Sequence, residues 1–313
     1  MSGYGEAETV VVNHGHGLPY SKGLMAQSLS ASGIAPERAY ELARMIELRL
    51  VGGTKREIDI QDLCELAEEV IGQEAGARAV RRFRDWRRLD HLDRPLIVML
   101  GGTAGVGKST LATMLANRLG LTQVVPTDVV RQVLRSCLSH AIMPAVHYSS
   151  FEAGRAVALR PDGTDTDLVG FVRQAESVAT GLEAIVERAI TESVGMVVEG
   201  VHVVPGLMNP RLRKRCLAVE ALVVVDQEDV HRAHFSMRGG ERPADRYLGR
   251  FAQIRKLQRY LVERAEAAGV PVIDNSSIDG ALTDLMELVL DAVQAVGAGE
   301  RPPETVGGGF AST

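Results

Sequence analysis

Gly102-Thr103-Ala104-Gly105-Val106-Gly107-Lys108-Ser109 sets glycines, a lysine and a hydroxyl at the spacing G-x-x-x-x-G-K-[ST]. Such a loop binds phosphate. Its glycines let successive backbone N–H groups turn toward anionic oxygens, and the helix that follows adds the positive end of its dipole. In that chemistry Lys108 bridges the β- and γ-phosphates of ATP, and the Ser109 hydroxyl takes one coordination position on Mg²⁺. Thr110 completes the nucleotide-binding stretch, Gly102 to Thr110.

Two acidic residues stand where such a site needs them. Asp128 ends a short apolar run, Val124-Val125-Pro126-Thr127-Asp128, and Arg131 follows on the same helical face. There Asp128 either caps a helix or orients and deprotonates an acceptor hydroxyl, with Arg131 gripping an anionic substrate. Glu199 closes Gly195-Met196-Val197-Val198-Glu199, the Walker-B position from which a carboxylate reaches Mg²⁺ directly or through water. His202, two residues past Gly200, would face the same cleft. His147 and Arg173 lie in a stretch of polar groups beside aromatics, His140 to Arg173, where small-molecule kinases build an acceptor pocket. The segment His231 to Arg246 carries Arg232, Arg238, Arg242 and Arg246 with the glycine pair Gly239-Gly240. It reads as a mobile lid that closes arginines over the transferring phosphoryl group. Arg238 is taken as the catalytic arginine, and Arg242 and Arg246 as substrate contacts.

The elements that would position these residues are legible as alternating strands and helices. Pro95 to Leu100 is a short, apolar, β-branched run before the loop, and Thr110 to Leu119 has helical periodicity after it, the order this loop requires. Further strands are expected over 123–127, 195–199, 219–225 and 270–274. The pattern is that of a five-stranded, mostly parallel sheet covered on both faces, an α/β P-loop NTPase core. In open sheets of this kind ligands sit beyond the carboxyl ends of the strands, where Asp128 and Glu199 fall. Before residue 93 the chain reads as mainly helical, with helices from Pro36 to Leu50 and from Ile60 to Ile71 and a stop at Gly72-Gln73. The strongly basic stretch from Arg78 to Arg94 contains the sole tryptophan, Trp86, and is read as a solvated linker helix, with an anion or partner surface as the alternative. The boundaries are therefore 1–92, 93–296 and a disordered tail over 297–313 that holds Pro302-Pro303 and Gly307-Gly308-Gly309.

Composition excludes several classes. The 313 residues carry a formal net charge of -5, which offers no general attraction to nucleic acid or anionic membrane. Three cysteines, Cys64, Cys137 and Cys216, lie far apart, without the spacing of a zinc site or a disulfide framework. No stretch approaches a membrane span, and a cytoplasmic setting is expected. No Asn-Lys-x-Asp guanine motif occurs.

Taken together, Gly101 to Thr110, Thr127-Asp128 and Glu199-Gly200-Val201-His202-Val203-Val204-Pro205-Gly206 resemble 2-phosphoglycerate kinase. The likeness extends through Arg246-Tyr247-Leu248 and Ile254 to Gln258 as far as Pro271-Val272-Ile273-Asp274-Asn275. Leu18 to Leu29 looks like the ATP-cone domain that precedes the kinase core in that family. Where a cone usually begins with a valine, a basic pair and a glycine, this chain has Val11 to Gly17, leaving open a nucleotide-binding, structural or oligomerising role. The resemblance implies transfer of the ATP γ-phosphoryl group to the 3-hydroxyl of 2-phosphoglycerate, giving 2,3-bisphosphoglycerate. The residues alone reach only a Mg²⁺/ATP-dependent kinase for a small anionic acceptor. A kinase for another hydroxy acid, a nucleotide-sensing regulatory module and a nucleic-acid end kinase remain the alternatives.

Overall fold

A computed structural model describes residues 9–13, 16–53, 57–88, 92–158, 163–236 and 244–297. The chain divides into two compact units, Met1–His91 and Leu92–Thr313.

In the second unit, β4 (Leu96–Gly101) enters the phosphate loop and α4 (Lys108–Leu119) leaves it. All six residues of β4 are buried, as a parallel strand covered on both faces demands. The other strands are β5 (Gln123–Pro126), β6 (Met196–Glu199), β7 (Leu217–Val224) and β8 (Val272–Asp274). Every pairing among them is parallel, and the order is β5-β6-β4-β7-β8. The five strands expected from the sequence are these five, with ends displaced by a residue or two. Register then fixes the site: Glu199 on β6 pairs with Leu100 on one side and Pro126 on the other. Its carboxylate thus emerges between the start of the phosphate loop and the end of β5.

Helix α5 (Thr127–Cys137) begins where β5 stops, and α6 (Thr166–Thr191) covers one face of the sheet. Val178, Leu182 and Val186 of α6 pack there against Ile97, Met99, Met196 and Val198. On another face Leu222 and Val224 meet Ile254, Leu257 and Leu261 of α10 (Phe251–Ala268). Between α5 and α6 lie two 3₁₀ turns, Pro144–His147 and Ser150–Ala156. α11 (Ile278–Gly297) packs on α4 and β7.

The segment expected to be a lid is described at its two ends. Residues Glu228–Ser236 form an ordered helix, α8, whose His231 and Phe235 are buried, and Ala244–Leu248 form α9. Phe235 stacks on Tyr247 at 5.1 Å between ring centroids and meets Phe251 edge-on at 6.5 Å. These ring contacts seat α8 against Tyr247 and Phe251. Arg238, Gly239, Gly240 and Arg242 lie outside the described residues, as does the tail beyond Gly297.

In the first unit a small sheet joins the helices. β1 (Val10–Asn13) runs antiparallel to β2 (His16–Pro19) and parallel to β3 (Glu57–Asp59). α1 (Lys22–Ala31) and α2 (Pro36–Val51) bury Leu29, Leu42, Ala43 and Ile46 against Leu63, Val70 and Ile71 of α3 (Ile60–Arg88). The expected stop at Gly72-Gln73 is not one: α3 continues to a kink at Gly76, where φ is 82° and ψ is 173°. A backbone in that region favours glycine, and Gly76 rather than Gly72 adopts it. Past the kink, Arg84 and Arg87 face Glu68 at 2.7 and 3.7 Å, and Arg88 faces Asp85 at 3.2 Å. The basic run is therefore partly neutralised by its own neighbours. None of the described helices is long and apolar enough to cross a membrane.

Candidate active site

The phosphate loop and the end of β6 meet through a direct contact. Ser109 Oγ donates to Glu199 Oε1 at 2.8 Å, although the residues are 90 positions apart. Glu199 is buried, so its carboxylate points inward rather than into bulk solvent. A hydroxyl and a carboxylate side by side are a hard-oxygen pair of the kind Mg²⁺ uses when phosphate oxygens and waters complete its shell. Both residues expected to serve a metal are thus brought together. Lys108 Nζ, also buried, donates to the Thr103 carbonyl at 2.6 Å, which curls the cation over the loop.

Asp128 lies in the first turn of α5, with Pro126 rather than Asp128 as the cap. Its side chain is 63% exposed, and Arg131 Nε reaches Oδ1 at 3.1 Å. Partial burial raises the Asp128 pKa, but the charges of His202, Arg131 and Lys108 lower it more, and the net value lies below the ordinary carboxylate range. Burial holds His202 down to about 4. At neutral pH that ring is uncharged, and Arg131 and Lys108 remain as the cations that favour the ionised Asp128 carboxylate.

Arg131 is buried, and Nη1 donates to the Val146 and Tyr148 carbonyls at 3.0 and 3.1 Å. Much of its donor capacity goes into fastening the first 3₁₀ turn to α5. Arg131→Ala should therefore destabilise the fold by about 1–3 kcal/mol, because the buried Val146 carbonyl loses a charged donor while the half-buried Tyr148 carbonyl keeps Gln174. Denaturant melts check this; a loss under about 0.5 kcal/mol would show those bonds to be dispensable.

His202 is placed inside the wall instead of facing the cleft. Nδ1 is 2.9 Å from Thr127 Oγ1, and Nε2 is 3.1 Å from Gln174 Oε1. Gln174 Nε2 donates to the Ala145 and Tyr148 carbonyls at 2.6 and 3.0 Å, so its oxygen can only accept. Hence Nε2 of His202 carries the proton and the Thr127 hydroxyl donates to Nδ1. Gly200 makes room for this: its φ is +148°, and a Cβ there would collide with the Thr127 side chain. The result is a satisfied polar network that joins the ends of β5 and β6 to α6 and the 3₁₀ turn.

A neutral buried histidine makes stability depend on pH. His231, like His202, has its pKa lowered by burial to about 4. An unfolded histidine titrates near 6.5, so between about 6.5 and 4 the unfolded chain takes up protons that the folded chain refuses. Stability is complete above this window and falls as pH drops through it, by on the order of 1 kcal/mol per pH unit for each ring. Unfolding midpoints between about pH 4.5 and 7.5 test this. A His202→Gln variant should show a shallower slope, and an unchanged slope would exclude the ring as a source.

The remaining expected contacts disperse. His147 Nε2 donates to the Leu138 carbonyl at 3.0 Å. Arg173 is exposed on α6, next to Gln174. Arg246 Nη2 reaches Ser149 Oγ at 2.8 Å and Glu152 Oε2 at 2.7 Å, tying α9 to the second 3₁₀ turn. Arg155 and Arg250 face the same carboxylate at 3.5 and 3.9 Å. Burial raises the Glu152 pKa, but these three arginines outweigh it and hold the carboxylate below its usual range. Sequence reasoning passed over Glu152, gave Thr127, Gln174 and Asn275 no role of their own, and read His231 and His234 only as part of a lid. Of these, only the Thr127-Asp128 pair at a strand end carried a local signal.

An all-parallel sheet with a phosphate loop at its centre, and a lysine, hydroxyl and carboxylate at its strand ends, define a P-loop kinase. A 2-phosphoglycerate kinase of Methanothermobacter thermautotrophicus is 36% identical over 265 residues, covering 83% of this chain and 86% of its own. One of Methanopyrus kandleri is 34% identical over 276 residues, covering 87% and 84%. One of Thermococcus kodakarensis is 33% identical over 282 residues, covering 90% and 96%. The chain belongs to the 2-phosphoglycerate kinase family and is a nucleotide-binding phosphotransferase. No protein-family model matches it. Among solved structures, a gluconokinase from Sinorhizobium meliloti 1021 aligns with a TM-score of 0.36 at 16% identity, covering 66% of this chain and 95% of its own.

Proposed function

We propose that this kinase transfers the γ-phosphoryl group of ATP to the 3-hydroxyl of 2-phosphoglycerate, giving 2,3-bisphosphoglycerate and ADP. The acceptor oxygen bonds to the γ-phosphorus, the bond from that phosphorus to the β–γ bridging oxygen breaks, and the hydroxyl proton leaves to a carboxylate. The observation that carries the reading is the Ser109–Glu199 contact beside Lys108, across the strand ends from an ionised Asp128. The relatives, named 2-phosphoglycerate kinases, support the acceptor.

Ser109 and Glu199 would hold Mg²⁺, which when bound neutralises charge on the phosphate oxygens. Lys108 stabilises negative charge on the transferring group. Glu199 is already engaged with Ser109, whereas Asp128 is exposed to the cleft and ionised, so Asp128 is the base for the acceptor hydroxyl. A phosphorylated acid needs cations: Arg173, exposed on α6, is assigned to it in this reading, while His147 and Arg246 are engaged with the Leu138 carbonyl and Glu152, and Arg238 and Arg242 lie outside the described residues. Arg131 contributes by holding Asp128 and the 3₁₀ turn. Residues 1–92 are assigned to an ATP-cone-like domain and 93–296 to the kinase domain; the division at His91 and Leu92 supports that boundary.

The test is ADP release from Mg·ATP across 2-phosphoglycerate, 3-phosphoglycerate, glycerate and related hydroxy acids, with products identified by mass. A bisphosphoglycerate formed only from 2-phosphoglycerate is expected. ADP release stimulated by another acid alone would reassign the acceptor while leaving the kinase intact.

A further inference from the structure

Three consecutive carbonyls of the phosphate loop are held from outside the loop by side chains that local sequence gave no reason to connect with it. His231 Nε2 lies 2.8 Å from the Ala104 carbonyl, and His234 Nδ1 lies 2.9 Å from the Gly105 carbonyl. Asn275 Nδ2, just past β8, donates to the Val106 carbonyl at 2.9 Å. Carbonyls only accept, so each of these three nitrogens bears the proton.

The consequence follows from peptide geometry. In a trans peptide the carbonyl of one residue and the N–H of the next point in opposite directions in one plane. Fixing the carbonyls of Ala104, Gly105 and Val106 outward therefore fixes the N–H groups of Gly105, Val106 and Gly107 on the opposite side. Inward-turned N–H groups in succession are what an anion cradle consists of. We propose that His231, His234 and Asn275 are positioning residues that set the phosphate cradle before nucleotide arrives, sparing binding the cost of ordering three peptides.

Packing supports the assignment. His231 and Asn275 are buried. The His231 ring stacks on Phe235 at 5.4 Å and meets Phe251 edge-on at 5.3 Å, which leaves it little freedom to turn away. A Cβ on Gly105 would run into the Phe235 ring and approach His231 Nε2 at 2.9 Å, so α8 is seated directly against the loop backbone. Among the described residues His231 Nδ1 and Asn275 Oδ1 find no hydrogen-bond partner, although both are buried. Burying such an atom is unfavourable, and both side chains nevertheless spend their donors on the loop.

The inference rests on the nucleotide reading of this site, and the experiment separates the two. Inorganic tripolyphosphate engages a phosphate cradle without a base or an acceptor. Its binding, and that of Mg·ATP, would be measured by calorimetry for the full chain and for His231→Leu, His231→Gln, His234→Ala and Asn275→Leu, with thermal melts alongside. Each donor deletion should weaken tripolyphosphate and Mg·ATP in parallel by about tenfold, with the acceptor KM unmoved. His231→Gln, which keeps an N–H donor, should recover most of the loss. Folded variants that bind tripolyphosphate within about twofold of the parent would overturn the proposal whatever their melting points, as would equal losses in His231→Leu and His231→Gln. If His231→Leu does not fold, His234→Ala, at a half-buried position, decides the matter. A parent chain that binds neither probe would overturn the nucleotide reading itself.

Discussion

Lys108→Ala is expected to lower turnover by at least about 10³-fold while the protein still folds. The Lys108 ammonium donates to the Thr103 carbonyl, five residues back in the same loop. Removing a bond of that kind costs about 1 kcal/mol, a small part of the stability of a domain this size. What is lost instead is a buried cation at the phosphate loop. Among the described residues, the nearby Arg131 is committed to Asp128 and to the Val146 and Tyr148 carbonyls. Acceptor-dependent ADP release measured beside a thermal melt checks both halves. Activity above about one part in a hundred, with the melt unchanged, would remove Lys108 from the reaction.

Much of the kinase core was legible because parallel strands write themselves as continuous apolar runs. β4 and β6 are buried on both faces and appeared as such runs, and β7 did so apart from the buried Glu220. Glu199 and Asp128 were found because a charged residue ending an apolar strand is a local signal, and Asp128 with Arg131 because helical spacing pairs them. What failed were inferences that needed long-range geometry. His202 looks like a cleft residue from its place after Glu199, yet its partners are Thr127 and Gln174, 75 and 28 positions away. His231 and His234 sat in an arginine- and glycine-rich stretch and took its character, whereas their helix is anchored by Phe235 onto Tyr247 and Phe251. Among the N-terminal residues, β1 and β2 are four residues each and β3 is three, too short for periodicity to declare them.

The two carboxylates can be told apart by what each loses. Glu199→Gln keeps the volume and leaves an amide oxygen to accept from Ser109 Oγ, so the fold and the contact survive while the charge goes. Turnover should fall by at least about 10²-fold, and the Mg²⁺ concentration for half-maximal activity should rise, because a hard cation loses its anionic ligand. Asp128→Asn removes a different function. The amide still faces Arg131, but it cannot take a proton from the acceptor hydroxyl, so turnover should fall by about 10²–10⁴-fold with the Mg²⁺ midpoint unmoved. The neighbouring charges that keep Asp128 ionised also make it a weak base, and its contribution therefore lies toward the lower end of that range. An Mg²⁺ midpoint that shifts in Asp128→Asn and holds in Glu199→Gln would exchange the two roles. Glu199 would then be the base, and the metal would sit on the β5 side of the loop.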